Sequence, residues 1–239
     1  SDFWEAFLNT AIWTLVGVIA ALVLGFSLAL GLSKVKFLSR TIKSVFFLPL
    51  ALSLVVVGFI WFWIYRYEFG LINIFLRAMG RDALTKDWLA DPSTALISVI
   101  IAWAWQQVSL SMIIFLAGLT AVPADLMEAS QVDGAKWRTQ IRHVIIPSLA
   151  PAISVVISLA LINALKTFDI VYVMAQGGPY GKTRTLSILS YREAFKSYDF
   201  GYSSAIAVVL FILTVTIIGG FMYLTRRGNQ DESYERKYK

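Results

Sequence analysis

The segment EASQVDGAKWRTQIRHVIIPSLAP, Glu128 to Pro151, is charged, interrupted by Gly134, and set between two long apolar runs. Its first part carries Glu128, Ala129 and Ser130, then Asp133, Gly134 and Ala135; an apolar residue and a proline follow at Ile146 and Pro147. Pro123 suits a first helical turn, where its missing N–H costs little, and Asp125 and Glu128 then lie near the positive end of that helix. The residues predict a short helix from Pro123 to about Val132, a turn at Asp133-Gly134, and a second helix from Lys136 to Val144 leading to Pro147. The expected product is a bent, two-helix protrusion over 123–147.

The flanking runs decide what that protrusion is attached to. Of the 239 residues, 58% are hydrophobic, and the excess is gathered into uncharged stretches, which is a membrane composition. Ala11 to Leu32, Ser44 to Tyr65, Ala95 to Val122, Val144 to Leu165 and Tyr202 to Thr225 contain no Asp, Glu, Lys or Arg. At about 1.5 Å per residue, 22 residues cover about 33 Å, enough for a hydrocarbon core of roughly 30 Å. Backbone groups in lipid must be paired internally, and the alternating pattern of an outer-membrane barrel is absent, so each stretch is expected to span as a helix. The fold class is all-α, a multi-pass transmembrane helical bundle with five spans visible, read as one membrane domain over 1–239.

The net charge of +6 raises the question of a nucleic-acid partner, but the cations flank the spans, so lipid and topology account for them. Twelve of the 21 Lys and Arg residues fall in Ser33–Lys43, Ala124–His143 and Arg226–Lys239, which are much shorter in total than the segments on the opposite side. Cation density places these three in the cytoplasm, so the chain begins outside and ends inside. The first ten residues lack the basic start of a signal peptide, and an outside start needs something upstream to deliver it; at least one further helix is expected there. Cysteine is absent, so neither a disulfide nor a thiolate metal site is available.

Between the second and third spans, Gly70, Gly80 and Asp91-Pro92 act as breakers, and Leu71 to Met79 reads as an interfacial helix. Trp61, Trp63, Tyr65, Tyr67 and Trp88 fit an aromatic belt at the outer boundary. Further on, Gly181, Lys182 and Thr183 occupy the last positions of a phosphate-binding loop, yet Gln176 stands where that loop needs glycine. Polar groups at lipid level face protein or a water-filled path. Candidates for the path are Gln106 and Gln107 in the third span, and Asn163, Lys166 and Thr167 at the end of the fourth. Asn163 and Thr167 are four apart on one helical face, with Lys166 and Asp169 placed for an ion pair. Neutral amides and hydroxyls suit hydroxyl-rich solutes. His143 is the only histidine and makes no usual zinc site alone. No nucleophile stands with a base, so a non-catalytic chain without cofactor or metal is expected.

The charged segment, with its Glu128-Ala129-Ser130 and Asp133-Gly134-Ala135 core, resembles the "EAA" loop in membrane subunits of binding-protein-dependent ABC importers. Further matching pieces are PLALSLVVVGFIW from Pro49, GLIN from Gly70, WLADP from Trp88, AGLTAVP from Ala117, FDIVYVMAQGGP from Phe168 and AFKSYDFGYSSAIAVVL from Ala194. They resemble the carbohydrate-uptake, maltose-type group in order and spacing. Ser130 in place of alanine, Ile141 in place of an aromatic and Ile146 in place of leucine are the departures. The resemblance implies a second, non-identical permease subunit, two ATPase subunits that bind ATP and Mg, an extracytoplasmic solute-binding protein, and a further helix before the first span. It implies that Glu128, Ala129, Ser130, Asp133, Gly134 and Ala135 couple this chain to the ATPase, with a sugar, oligosaccharide or polyol as cargo. Glycerol phosphate uptake is the alternative within the family. Outside it stands an ion-coupled secondary transporter, which would favour internal repeats and intramembrane carboxylates; no repeat is visible and Asp169 is the one acidic candidate.

Overall fold

The computed structural model describes residues 2–33 and 39–237, with the side chains of 39–42 and 226–237 outside that description. Lys34, Lys36, Arg40 and the cations of the carboxyl tail, on which part of the expected orientation rests, are therefore outside the described side chains. All regular structure among the described residues is helical.

Three helices are long and apolar enough to cross a membrane: α1 (Asp2–Ser33), α5 (Ala95–Thr120) and α12 (Phe200–Lys237, apolar through Thr225). The other two uncharged stretches are bent pairs, a correction to the expectation of five continuous helices. The second consists of α2 (Ser39–Ala51) and α3 (Leu54–Ile64), bent by 108°; the fourth joins a helix over Trp137–Ser148 to α9 (Ala150–Leu165), bent by 70°. Prolines explain both breaks. Pro49 removes a backbone donor from the last turn of α2, and Ser53 then caps α3, accepting from the Val56 N–H at 3.4 Å. Pro147 and Pro151 lack the N–H groups that would close the ladder on either side of Leu149, so the chain bends there although Leu149 itself still donates to the Ile145 carbonyl at 2.9 Å.

The bundle is organised around α1 and α5. Along α1, Gly17, Ala21, Gly25 and Ala29 recur every four residues on one buried face. Such small residues let backbones approach closely where lipid offers no hydrophobic drive for association. A Cβ on Gly17 would lie 2.6 Å from the Trp103 ring, and one on Gly25 would lie 2.5 Å from the Ser111 Cβ and 3.2 Å from the Met112 nitrogen. Trp13 fills the remaining space against Trp103, with ring centres 5.7 Å apart.

Two larger apolar clusters divide the core by height, and a third, smaller one holds Ala6, Leu186, Leu189 and Ile206. At the end near residues 124–148, Ala29, Leu32, Met112, Phe115, Ile145 and Leu149 pack together and receive Phe46 of α2. Toward the opposite end, Trp13, Val57, Val99, Trp103 and Ile170 form the second cluster. The break between α2 and α3 lies between them, beside the middle of α5.

At that opposite end, α4 (Leu71–Ala78) forms as expected. Its Asn73 is fully buried and ties the loop together: Nδ2 donates to the carbonyls of Tyr67 (3.2 Å) and Lys86 (2.9 Å), and Oδ1 accepts from Trp88 Nε1 (2.9 Å). Gly70 is obligatory for close approach, because a Cβ there would sit 2.2 Å from the Arg66 carbonyl oxygen. Of the five residues assigned to an aromatic belt, Trp63 and Tyr67 are exposed, whereas Tyr65 is buried and donates to the Ser98 carbonyl. Trp61 and Trp88 pack against the core through that tyrosine.

After α9 come α10 (Asp169–Met174), an irregular loop, and α11 (Leu186–Phe195), which pairs with the start of α12 through reciprocal Ser190 and Ser203 hydrogen bonds. The first turns of α1 clamp the irregular loop. Asn9 donates to the Gly181 and Arg184 carbonyls at 3.0 Å each, Thr10 accepts from the Leu186 N–H at 2.9 Å, and Asp2 pairs with Arg184.

Candidate functional site

The segment 123–148 projects from the bundle. In it α6 (Ala124–Val132) follows Pro123 as its N-cap and contains no buried residue. Gly134 adopts φ +72, and the chain leaves α6 through two reversed bonds: Ala135 N–H to the Ser130 carbonyl (2.9 Å) and Gly134 N–H to the Gln131 carbonyl (3.0 Å). That is a Schellman closure, which needs a left-handed residue after the cap and so selects glycine. A Cβ on Gly134 would meet nothing within 4 Å, so the demand is conformational rather than steric.

The second helix differs from expectation. It starts at Trp137, widens to a π turn over Ile141–Ile145, and continues to Ser148, past Val144. The missing N–H of Pro147 favours the wider turn before it. Gly118 of α5 accommodates the following bend: a Cβ there would lie 2.6 Å from Leu149 Cδ2. The π turn and Leu149 anchor the protrusion in the core, while its tip stays open.

On that tip Leu126 is 51% and Val132 87% exposed, and Glu128, Ala129, Asp133 and Gly134 are exposed beside them, with Ser130 and Ala135 half-buried. Among the described residues, Asp125, Glu128, Asp133, Lys136, Arg138 and Arg142 form no ion pair with one another or with the bundle. His143 places Nδ1 3.1 Å from the Thr139 carbonyl, a contact within its own helix. An exposed apolar knob ringed by unpaired charges of both signs has the chemistry of a protein-docking surface.

The polar residues at membrane level do not converge on one cavity. Gln106 is buried at the α2–α3 break, where its Nε2 donates to the carbonyls of Leu52 (2.5 Å) and Pro49 (3.2 Å), the latter also accepting the Leu52 N–H at 3.3 Å; it supplements the backbone pairing that the break weakens. Gln107 faces α9, accepting from Asn163 Nδ2 at 3.3 Å. Thr167 lies beyond the end of α9, not on its face, and donates back to the Asn163 carbonyl at 2.5 Å. Lys166 and Asp169 are both exposed and form no ion pair, because the chain leaves the helix between them and their i, i+3 spacing is no longer helical. The sequence reading overlooked Asn73, Asn9 and Thr10, and no local signal marks them. The four-residue spacing of Gly17, Ala21, Gly25 and Ala29 was a usable signal for the α1–α5 contact.

The apparent phosphate-binding loop is structural. It is preceded by helix α10, Lys182 is 3.9 Å from Glu5, and Thr183 is buried with its hydroxyl donated to the Gly178 carbonyl at 2.6 Å.

Membrane-length helices, with the amides of Gln106, Gln107 and Asn163 paired inside the protein, make this an integral membrane bundle. The inner-membrane component of binding-protein-dependent transport systems matches residues 17–227, and the chain belongs to that family, the non-catalytic permeases of ABC importers. The xylose/arabinose import permease protein XacH of Haloferax volcanii is 35% identical over 225 residues, 93% of this chain and 70% of that protein. The trehalose/maltose transport system permease protein MalF of Thermococcus litoralis is 32% identical over 215 residues, 90% of this chain and 72% of that protein. A crystal structure of a bacterial alginate ABC transporter, in complex with alginate pentasaccharide-bound periplasmic protein, has a similar fold, with a TM-score of 0.85 at 21% identity, covering 95% of this chain and 79% of that one. Membership in this family decides against the ion-coupled secondary transporter.

Proposed function

We propose that this chain is one of two non-identical permease subunits of a sugar, oligosaccharide or polyol importer, driven by two ATPase subunits and fed by an extracytoplasmic binding protein. The sugar cargo rests on the relatives named for xylose/arabinose and trehalose/maltose and on the alginate transporter's fold. ATP and Mg belong to the partner ATPase. In this reading residues 123–147 lie in the cytoplasm, the amino-terminal end of the chain lies outside and the carboxyl tail inside. Glu128, Ala129, Ser130, Asp133, Gly134 and Ala135 dock the ATPase. The observation that carries the reading is the anchored protrusion with the exposed, unpaired tip at Leu126, Glu128 and Val132.

ATP binding would move the docked tip, and the α5–α9 contact would transmit that motion to the Gln107–Asn163 amide pair beside the pathway. Both amides offer donors and acceptors to hydroxyl groups. Lys166 and Thr167 follow the outer end of α9, while Gln106, its N–H groups already engaged at the α2–α3 break, keeps the pathway wall in shape. Replacing Gly134 with proline tests the coupling in reconstituted vesicles. Proline cannot adopt φ +72, so stimulated ATP hydrolysis should no longer drive uptake although the spans still insert. Normal assembly and uptake in this variant would overturn the docking assignment.

A further inference from the structure

We propose that the pocket at the carboxyl-terminal end of α3 binds the headgroup of a zwitterionic phospholipid, with the phosphate on Arg66 and the ammonium between Glu68 and Asp87. A cavity of about 490 Å³ opens there, lined by Arg66, Tyr67, Glu68, Phe69 and Asp87. Arg66 follows the Tyr65 C-cap of the uncharged α3, so it stands at the end of a membrane-level helix, the depth at which lipid phosphates lie. Its guanidinium folds back over the Phe62 ring at 5.2 Å and beside Phe69 at 5.8 Å, the posture of a cation held at the interface by aromatic faces. Among the described residues it joins no ion pair and donates to no protein acceptor, and Glu68 also joins no ion pair. Asp87 accepts one backbone N–H, from Ala90 at 3.2 Å. Arg77 fixes the turn that displays these groups, donating to the carbonyls of Glu68 (2.8 Å) and Tyr67 (2.9 Å).

Charge selects the class of occupant. Arg77 is turned to the Tyr67 ring at 5.3 Å and to the Glu68 and Tyr67 carbonyls, so the lining offers one guanidinium and two carboxylates, and a phosphate joined to an ammonium satisfies both signs where a purely anionic headgroup leaves the carboxylates unmatched. The surface next to the pocket is apolar. The Trp63 and Phe69 rings pack at a tilt with centroids 5.3 Å apart, and Trp63, Phe59, Leu71 and Phe75 are all exposed, apolar surface of the kind acyl chains cover. These contacts favour a lipid over a soluble phosphate ester. The site is independent of the cargo and of which face of the membrane it occupies.

The assembled transporter, stripped of lipid and placed in detergent, can be titrated with phosphatidylethanolamine, phosphatidylglycerol or soluble glycerophosphoethanolamine, and bound lipid counted by native mass spectrometry. Phosphatidylethanolamine should bind in preference to phosphatidylglycerol, with glycerophosphoethanolamine far weaker. Arg66→Gln should lower phosphatidylethanolamine binding by about tenfold, the scale of one lost charge-assisted hydrogen bond. The double change Glu68→Gln and Asp87→Asn should invert the preference toward phosphatidylglycerol, a gain that misfolding cannot produce. Equal binding of the two lipids by the unaltered transporter, an unchanged preference in the double variant, or equally strong binding of glycerophosphoethanolamine would overturn the assignment.

Discussion

Replacing Gly25 with alanine probes the contact on which the bundle is built. The new Cβ would lie 2.5 Å from the Ser111 Cβ and 3.2 Å from the Met112 nitrogen, whereas carbon atoms in contact settle near 3.5–4.0 Å. A backbone atom and a Cβ cannot swing aside as a long side chain can, so α1 and α5 must part by about 1 Å. A gap of that size forfeits roughly a quarter to a half of each dispersion contact along the seam, and overpacking of this kind typically costs about 1–3 kcal/mol. Gly31 is the matched control: it lies on the same helix, and a Cβ there meets nothing within 4 Å. Gly31→Ala should be neutral or gain up to about 1 kcal/mol from helix propensity. The propensity gain is common to both variants, so they should differ by the packing cost, roughly 1–3 kcal/mol, or several degrees in apparent melting temperature for a chain of this length. Thermal denaturation of the purified transporter in one detergent makes the comparison. Equal melting temperatures for Gly25→Ala and Gly31→Ala would refute the close-packing argument.

Gln106→Leu should leave the Pro49 and Leu52 carbonyls without their side-chain donor, at about 1–3 kcal/mol, and hydrogen exchange over residues 49–57 should rise; unchanged exchange would mean that the break holds without the amide. Asn73→Leu should release the loop 66–94, read as faster limited proteolysis there, while the long helices stay protected. Asn163→Leu should lower solute uptake while ATPase stimulation by the loaded binding protein persists, and normal uptake at normal abundance would reduce Asn163 to a packing amide. Hydrogen bonds from the Ser93 hydroxyl and N–H hold the Asp91 carboxyl below its usual range. Its contribution to the turn is therefore complete above that range and lost as pH falls through the lowered value, so acid exchange of the Ser93 amide should quicken only below the ordinary carboxylate range and at every pH in Asp91→Ala.

Much of the bundle was legible in the sequence because membrane spans announce themselves by length and absence of charge. Ala95 to Val122 and Tyr202 to Thr225 became α5 and the apolar part of α12 within a few residues. The breaks were less legible: Pro49 and Pro151 stood in view, but an uncharged run looks alike whether straight or bent, and the bend depends on Gln106 and Gly118 arriving from another helix. The same limit governs the candidate sites. Asp133-Gly134 marks its turn by local chemistry, and the Schellman closure follows from it. Asn163 and Thr167 looked like one face because helical spacing was extended past Leu165, where the chain in fact ends the helix with Thr167 donating to the Asn163 carbonyl. Asn73 and Asn9 bind loop carbonyls far along the chain, and only tertiary structure supplies those partners.

The most direct test of the account is where the tip of the protrusion lies. The chain contains no cysteine, so Val132→Cys places a single thiol in this subunit at its most exposed apolar position on the tip. In the assembled transporter, with any partner cysteines controlled for, a short bifunctional reagent should join this thiol to the ATPase subunit, and nucleotide should change the yield. In sealed, right-side-out vesicles an impermeant maleimide should leave it unlabelled until the membrane is opened. Labelling of intact vesicles together with failure to cross-link the ATPase would contradict the central claim that residues 123–147 are the cytoplasmic coupling element.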